Sequence, residues 1–182
     1  MLPLLIIFSY LMGSIPSGYI LVKKKLNKDV REYGSGNIGA TNVRRVAGEK
    51  LSKITAICDM LKAIIPVLLT RILIWGDILN TNASLSLSLV AIAAILGHNY
   101  TIFLKFKGGK GFASFLGMSL GIHWKYFIVI GICIILITLI TKYIVLATMT
   151  TVISYPIFLF FNTHNWLVVF MVAFVSCIII IK

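Results

Sequence analysis

Apolar stretches separated by short polar joints recur along the whole chain, and an α-helix needs about 20 such residues to cross a bilayer. They are read at Leu2–Val22, about Leu51–Trp75, Ser84–Leu104, Gly111–Ile122, Tyr126–Thr141, Ile144–Phe161 and Leu167–Ile181. Of the 182 residues 59% are hydrophobic and 12% charged, and the mean hydropathy is +1.02. A soluble domain needs far more polar surface than that. The expected fold is all-α: a polytopic membrane protein of about seven transmembrane helices, forming a single integral membrane domain over residues 1–182.

The 17 Lys and Arg against 5 Asp and Glu give a net charge of +12, which in a soluble chain would point to nucleic acid. Position matters more than sum. Lys23, Lys24, Lys25, Lys28, Arg31, Arg44, Arg45, Lys50, Lys53 and Lys62 fall in or near one joint, Lys105, Lys107 and Lys110 in another, Lys142 in a third and Lys182 at the end. Only Arg71 and Lys125 fall toward the opposite face, so the positive-inside bias places the N-terminus outside and the C-terminus in the cytoplasm. Lipid headgroups and anionic substrates are therefore the expected partners, and nucleic acid is not. No basic residue precedes the first apolar run and no small-residue cleavage site follows it, so that run is expected to stay as a helix rather than be removed as a signal peptide. Cys58, Cys133 and Cys177 form no C-x-x-C pair and read as small packing residues.

Two polar, glycine-rich joints interrupt this pattern. In Tyr33-Gly-Ser-Gly-Asn-Ile-Gly-Ala-Thr-Asn42, Gly34, Gly36 and Gly39 permit backbone N–H groups to converge, while Ser35, Asn37, Thr41 and Asn42 add side-chain donors. Arg44 and Arg45 follow directly. Lys105-Phe-Lys-Gly-Gly-Lys-Gly111 repeats the recipe, with Lys110 among Gly108, Gly109 and Gly111. The pair reads as a membrane enzyme that holds phosphorylated substrates between two loops. Gly34 to Gly39 also matches G-x-G-x-x-G, but the dinucleotide fingerprint needs a preceding β-strand, and here a charged segment precedes it. Leu104 and Gly111 stand where a Walker loop would need glycine and a hydroxyl. The histidines lie far apart and carboxylates are scarce, so no metal and no cofactor is expected.

Asp59 and Lys62 are three residues apart on one helical face inside an apolar run, where ionisable groups point into a protein interior or a wet cavity. A structural ion pair is the bland alternative. His98, after Gly97, reads more readily as a hydrogen-bonded structural group than as a catalyst. Gly13-Ser-Ile-Pro-Ser-Gly18 predicts a kink or a tight helix contact, and Pro156 a bend. Gly111–Ile122 would measure only about 18 Å as a helix, with Gly117 and Gly121 on one face for close packing. His123 to Lys125 is expected to turn at the outer face with a solvated histidine, and Asn162 to Asn165 to make an outer turn before an interfacial Trp166.

Taken together, Gly13-Ser-Ile-Pro16, Tyr33 to Val43 with Arg45, Asp59 with Lys62, Gly97-His98, and Phe103-Leu-Lys-Phe-Lys-Gly-Gly-Lys-Gly111 resemble the bacterial acyl-phosphate:glycerol 3-phosphate acyltransferases of the inner membrane. The resemblance covers nearly the whole chain in order and spacing. It implies transfer of a fatty acyl group from acyl phosphate to the first hydroxyl of glycerol 3-phosphate, giving lysophosphatidic acid and phosphate, the first step of membrane phospholipid synthesis. It also implies seven membrane helices with the site facing the cytoplasm. The family's essential serine and arginine fall on Ser35 and Arg45, its functional lysine falls on Lys110, and the loop from Lys105 to Gly111 is the one that serves glycerol 3-phosphate. The remaining glycines and polar residues of both loops are implied substrate contacts, with Asp59, Lys62 and His98 as support.

Acyl phosphate is a mixed anhydride with a good leaving group, so juxtaposition and charge stabilisation suffice and Ser35 need not become acylated. A carrier or channel for a phosphorylated solute is the rival reading, although polar groups concentrate at one face of this chain. Departures from the family pattern are Thr101 in place of proline, Ala63 in place of glycine, and Phe112-Ala-Ser114 after the glycines. In the family a short basic tail after the last helix supplies a histidine and an asparagine. Here the sequence stops at Lys182, which implies either a truncated chain or an impaired activity; His164 and Asn165, expected on the outer face, are no substitute.

Overall fold

Proline and glycine decide where the first apolar run breaks. Helix α1 (Leu2–Ser14) ends at Ile15, and α2 (Ser17–Leu26) restarts after Pro16, which has no N–H to continue the ladder. The computed structural model describes residues 1–163 and 165–182. It continues with α3 (Ala40–Trp75), α4 (Ala83–Asn99), α5 (Phe112–Ile122), α6 (Trp124–Thr141), α7 (Ile144–Thr163) and α8 (Trp166–Ile181), and no strand occurs among the described residues.

By length and composition four segments among the described residues can cross a membrane: Leu2–Leu26, Ala83–Leu104, Trp124–Thr141 and Ile144–Thr163. Helices α5 and α8 are apolar but shorter. Helix α3 packs against α1, α4 and α5, and its charged positions Asp59 and Lys62 are turned inward. Leucines, isoleucines and phenylalanines cover the outside of α6, α7 and α8, as a hydrocarbon solvent demands.

Several boundaries differ from the sequence expectation. Lys23, Lys24 and Lys25 form the last turn of α2, where their charge suits the carbonyl end of a helix, so the first polar loop shrinks to the stretch between Leu26 and Ala40. Helix α3 begins at Ala40 and is interrupted at Gly48, whose φ of 84° only glycine adopts without strain. The first segment lies across this break from the long helix, tied to it by the Ser52 hydroxyl on Ala40 O at 2.8 Å. Helix α7 extends through Thr163, so the expected turn at Asn162 to Asn165 is shorter; Asn165 caps α8, and His164 lies outside the described residues. Cys133 and Cys177 face outward rather than into packing. His123 is half-buried rather than solvated: its Nδ1 lies 3.0 Å from the Tyr155 hydroxyl, and the Phe158 ring meets it edge-on.

Small residues set the helix pairing. A Cβ at Gly13 would run into the backbone of Ala94, one at Gly97 into Tyr10 O, and Ser9 donates to Val90 O, so α1 and α4 touch backbone to backbone and run in the same direction. Helices α3 and α5 do likewise. A Cβ at Gly117 would strike Met60 O and one at Gly121 the Val67 side chain, as the G-x-x-x-G spacing predicts. The consequence for function is topological: the loop after α2 and the loop after α4 emerge at the same end of the bundle. The Gly76–Asn82 connection, Arg71 and His123 lie at the other, where Arg71 Nη2 donates to Ile122 O at 2.8 Å.

Candidate active site

The loop between α2 and α3 is organised by one amide. Asn42, 2% exposed, donates through Nδ2 to the carbonyls of Val30 (3.0 Å), Tyr33 (3.0 Å) and Asn37 (2.9 Å), and its Oδ1 accepts from Ser35 N at 2.9 Å. Gly36 N donates to Tyr33 O, and Gly39 N to the Asn37 side chain. Gly34 and Gly36, at φ of 60° and 69°, supply the left-handed turns this wrapping requires, whereas Gly39 is extended. The amides of Ser35, Gly36 and Gly39 and the whole Asn42 side chain are engaged inside the loop and shape it. What the loop presents outward is the Ser35 hydroxyl, Thr41, Arg44 and Arg45, all exposed, with the Arg45 stem lying against Gly34. Among the described residues no histidine or carboxylate is hydrogen-bonded to Ser35 Oγ.

A strut stiffens the entry to this loop. Arg31 donates to Asp29 through Nε (3.0 Å) and Nη2 (2.6 Å), and its guanidinium lies over the Tyr19 ring. The hydrogen bonds from Arg31 hold the Asp29 carboxyl below its ordinary range, with slight burial opposing them.

The second loop starts where α4 ends. Thr101, standing where the resemblance called for proline, donates its hydroxyl to Ser14 O and caps a short 3-10 turn at Ile102–Leu104. Lys105 and Phe106 then adopt left-handed φ of 53° and 61°, an unusual conformation for two successive residues with side chains, held by Phe106 N on Thr101 O at 2.8 Å. Gly108 N and Gly109 N donate to the carbonyls of Asn99 (3.2 Å) and His98 (2.9 Å), folding the loop back on the end of α4. Lys105, Lys107 and Lys110 are exposed, and Gly111, at φ 86°, opens α5. The first-turn N–H groups of α5 beside Lys110 are the donors left to meet an anion.

The two loops meet through apolar side chains. Leu104 packs with Val22, Val30, Ile38 and Val43 in one small core, which fixes the base of the second loop to the frame of the first. Beside it an open apolar groove of about 370 Å³ is lined by Ile15, Pro16, Tyr19, Ile20, Phe103 and Leu104. Lys182, at the end of α8, donates to Asn99 O and lies over the Tyr100 ring, so that helix finishes against the start of the second loop. Beneath the loop sit Asp59, Lys62 and His98, none more than 4% exposed, as the sequence pairing of Asp59 with Lys62 predicts. Sequence reasoning missed Asn42 as the loop's keystone, the break at Gly48 and the contribution of Leu104.

Such an arrangement defines an all-helical integral membrane enzyme whose basic, glycine-rich loops gather at one end of the bundle. The family model for glycerol-3-phosphate acyltransferase matches residues 3–182, and the chain belongs to that family, the one its motifs pointed to. It is 41% identical over 176 residues to the glycerol-3-phosphate acyltransferase of Bartonella quintana, covering 97% of this chain and 82% of the relative. With that of Clostridium acetobutylicum it shares 53% over 112 residues, 62% of this chain and 57% of the relative. The fold is similar to the crystal structure of PlsY (YgiH), an integral membrane glycerol 3-phosphate acyltransferase, in its glycerol 3-phosphate form. There the TM-score is 0.87 at 35% identity, covering 100% of this chain and 87% of that one. Against the lysophosphatidic acid form the TM-score is 0.83 at 34% identity, covering 99% and 86%. The protein is an acyltransferase of the membrane, and the carrier reading is not favoured.

Proposed function

We propose that this chain transfers a fatty acyl group from acyl phosphate to the first hydroxyl of glycerol 3-phosphate, releasing lysophosphatidic acid and inorganic phosphate. The family and the two PlsY forms support the acceptor and the lipid product; the donor is what the motif resemblance implies, and its chemistry fits the residues present. An acyl phosphate carries its own leaving group, and no activating base or cofactor is needed to expel it. Arg45 forks onto one phosphate, Lys110 with the start of α5 takes the other, and Ser35 hydrogen-bonds the attacking hydroxyl or a phosphate oxygen. The hydroxyl oxygen bonds to the acyl carbon, the C–O bond to phosphate breaks with its electron pair, and a phosphate oxygen of a bound substrate takes the proton. The apolar groove beside Phe103 receives the start of the acyl chain. In this reading the chain makes seven crossings with its N-terminus outside and its C-terminus inside, and the loops face the cytoplasm of a bacterial inner membrane.

One observation carries the proposal: Leu104 joins the small core beneath the first loop, so both loops stand on a common base and can share a reacting pair. The test is incubation of the purified protein in vesicles with acyl phosphate and labelled glycerol 3-phosphate. Label entering the lipid phase supports the enzyme. Label that only crosses into vesicles, or a Ser35→Ala variant that transfers at the parent rate, counts against it.

A further inference from the structure

Asp59, Lys62 and His98 form a buried polar cluster between the α1–α2 break, α3 and the end of α4. Lys62 Nζ lies 2.9 Å from Asp59 Oδ1 and 3.0 Å from Ile15 O, a carbonyl at the Pro16 break that also accepts from Ser17 N. His98 Nδ1 lies 3.6 Å from the same Asp59 oxygen, near but beyond hydrogen-bond reach. Replacing a buried ion pair with apolar residues is often neutral or stabilising, so fold stability is a weak reason for such a group inside a membrane protein.

What the cluster touches is the second loop, at both ends. A Cβ at Gly109 would land on His98 Nε2, so the imidazole fills the place a side chain there would need. The carbonyl of His98 receives Gly109 N at 2.9 Å, and the neighbouring Asn99 carbonyl receives Gly108 N. On the far side of the loop, Ser114 in the first turn of α5 donates its hydroxyl to Asp59 O at 2.9 Å. Lys110 lies between these two anchors.

We infer that Asp59, Lys62 and His98 are positioning residues for the phosphorylated acceptor: the His98 ring, packed beside the ion pair, sets the seat of Gly109, Asp59 O anchors Ser114, and between them they place Lys110 and the start of α5. This rests on the Lys105–Gly111 loop being where glycerol 3-phosphate binds. His98 itself touches no reacting atom in this scheme. Its work is steric, and the test can therefore be steric. Gly109→Ala places a methyl group on the ring, and His98→Ala removes the ring.

Each single variant is expected to raise KM for glycerol 3-phosphate by about tenfold to a hundredfold, leaving KM for acyl phosphate within about twofold. The double variant His98→Ala with Gly109→Ala should fall well short of the product of the two single effects, because the methyl group occupies the emptied space. His98→Gln, which keeps a planar polar head, should recover part of the loss. If His98→Ala yields no folded protein, His98→Ser, which also empties the space but keeps a polar atom, carries the same comparison with and without Gly109→Ala. Multiplicative effects, or equal increases in both KM values, overturn the inference. A parent protein that transfers no acyl group to glycerol 3-phosphate overturns the functional reading and this inference with it. A parent that transfers normally while the cluster variants keep their KM overturns this inference alone.

Discussion

Trimming Asn42 to alanine tests how the first loop is built. The carboxamide makes three donor contacts and one acceptor contact, but its nitrogen carries two hydrogens, so about three independent hydrogen bonds disappear. At about 0.5–1.5 kcal/mol each, the loss is about 1.5–4.5 kcal/mol. Water can reach the freed carbonyls of Tyr33, which is exposed, and of Asn37, which is partly so, and the low end of that range therefore governs. About 2 kcal/mol corresponds to roughly a thirtyfold fall in the ordered loop and hence in kcat/KM. Over residues 33–39 the other ties are Ile38 in the small core, the Gly36–Tyr33 bond and Gly39 N on the Asn37 side chain, with the Arg31–Asp29 strut at the entry. Steady-state transfer by Asn42→Ala, together with hydrogen exchange over residues 33–39, makes the measurement. The helical bundle should keep its thermal stability within a few degrees while the Ser35 amide exchanges faster. A rate within threefold of the parent and unchanged protection at Ser35 would refute the idea that this amide holds the loop together.

Three further outcomes are expected. Arg45→Ala should lower kcat/KM by about tenfold to a hundredfold, the range for one charged hydrogen-bonding partner, and Arg45→Lys should recover only part because the fork is gone; initial rates decide it. Gly13→Ala should destabilise the bundle by about 1–3 kcal/mol because its Cβ meets the Ala94 backbone, whereas Gly131→Ala, with nothing within 4 Å, should be neutral or mildly stabilising in detergent melts. Because Arg31 depresses the Asp29 carboxyl, the strut's contribution is fully present above the unfolded value of about 3.9 and disappears only as pH falls through the lower folded value. Exchange at Val30–Glu32 should therefore be flat from pH 5 to 8 once intrinsic rates are corrected, and Asp29→Asn should remove any loss of protection below about pH 4.

Fold class was readable because hydrocarbon imposes a single solution on the backbone, and Leu2 to Ile181 declare it in runs that admit no other solvent. Helix ends were less readable. Lys23 to Lys25 look like loop because they are charged, yet a helix emerging from a membrane keeps turning in water and welcomes cations at its carbonyl end. Gly48 hid inside a basic stretch with no apolar period to interrupt. Glycine spacing in both loops correctly marked tight backbone, but spacing alone cannot say whether an N–H points to a ligand or back into its own loop. Asn42 carried a usable hint, since an amide can both donate to and accept from main chain where the neighbouring hydroxyls offer less. The setting of His123 was not recoverable, as Tyr155 and Phe158 reach it from a helix more than thirty positions away.

The shortness of α5 has a consequence for where the two reactants can meet. Eleven residues rise about 16 Å, roughly half of a hydrocarbon layer about 30 Å deep. If its far end keeps level with its longer neighbours, its near end is sunk well below the headgroups. A hydrophilic partner then descends to the lipid instead of the lipid being hauled out, and the greasy one never has to leave its own phase.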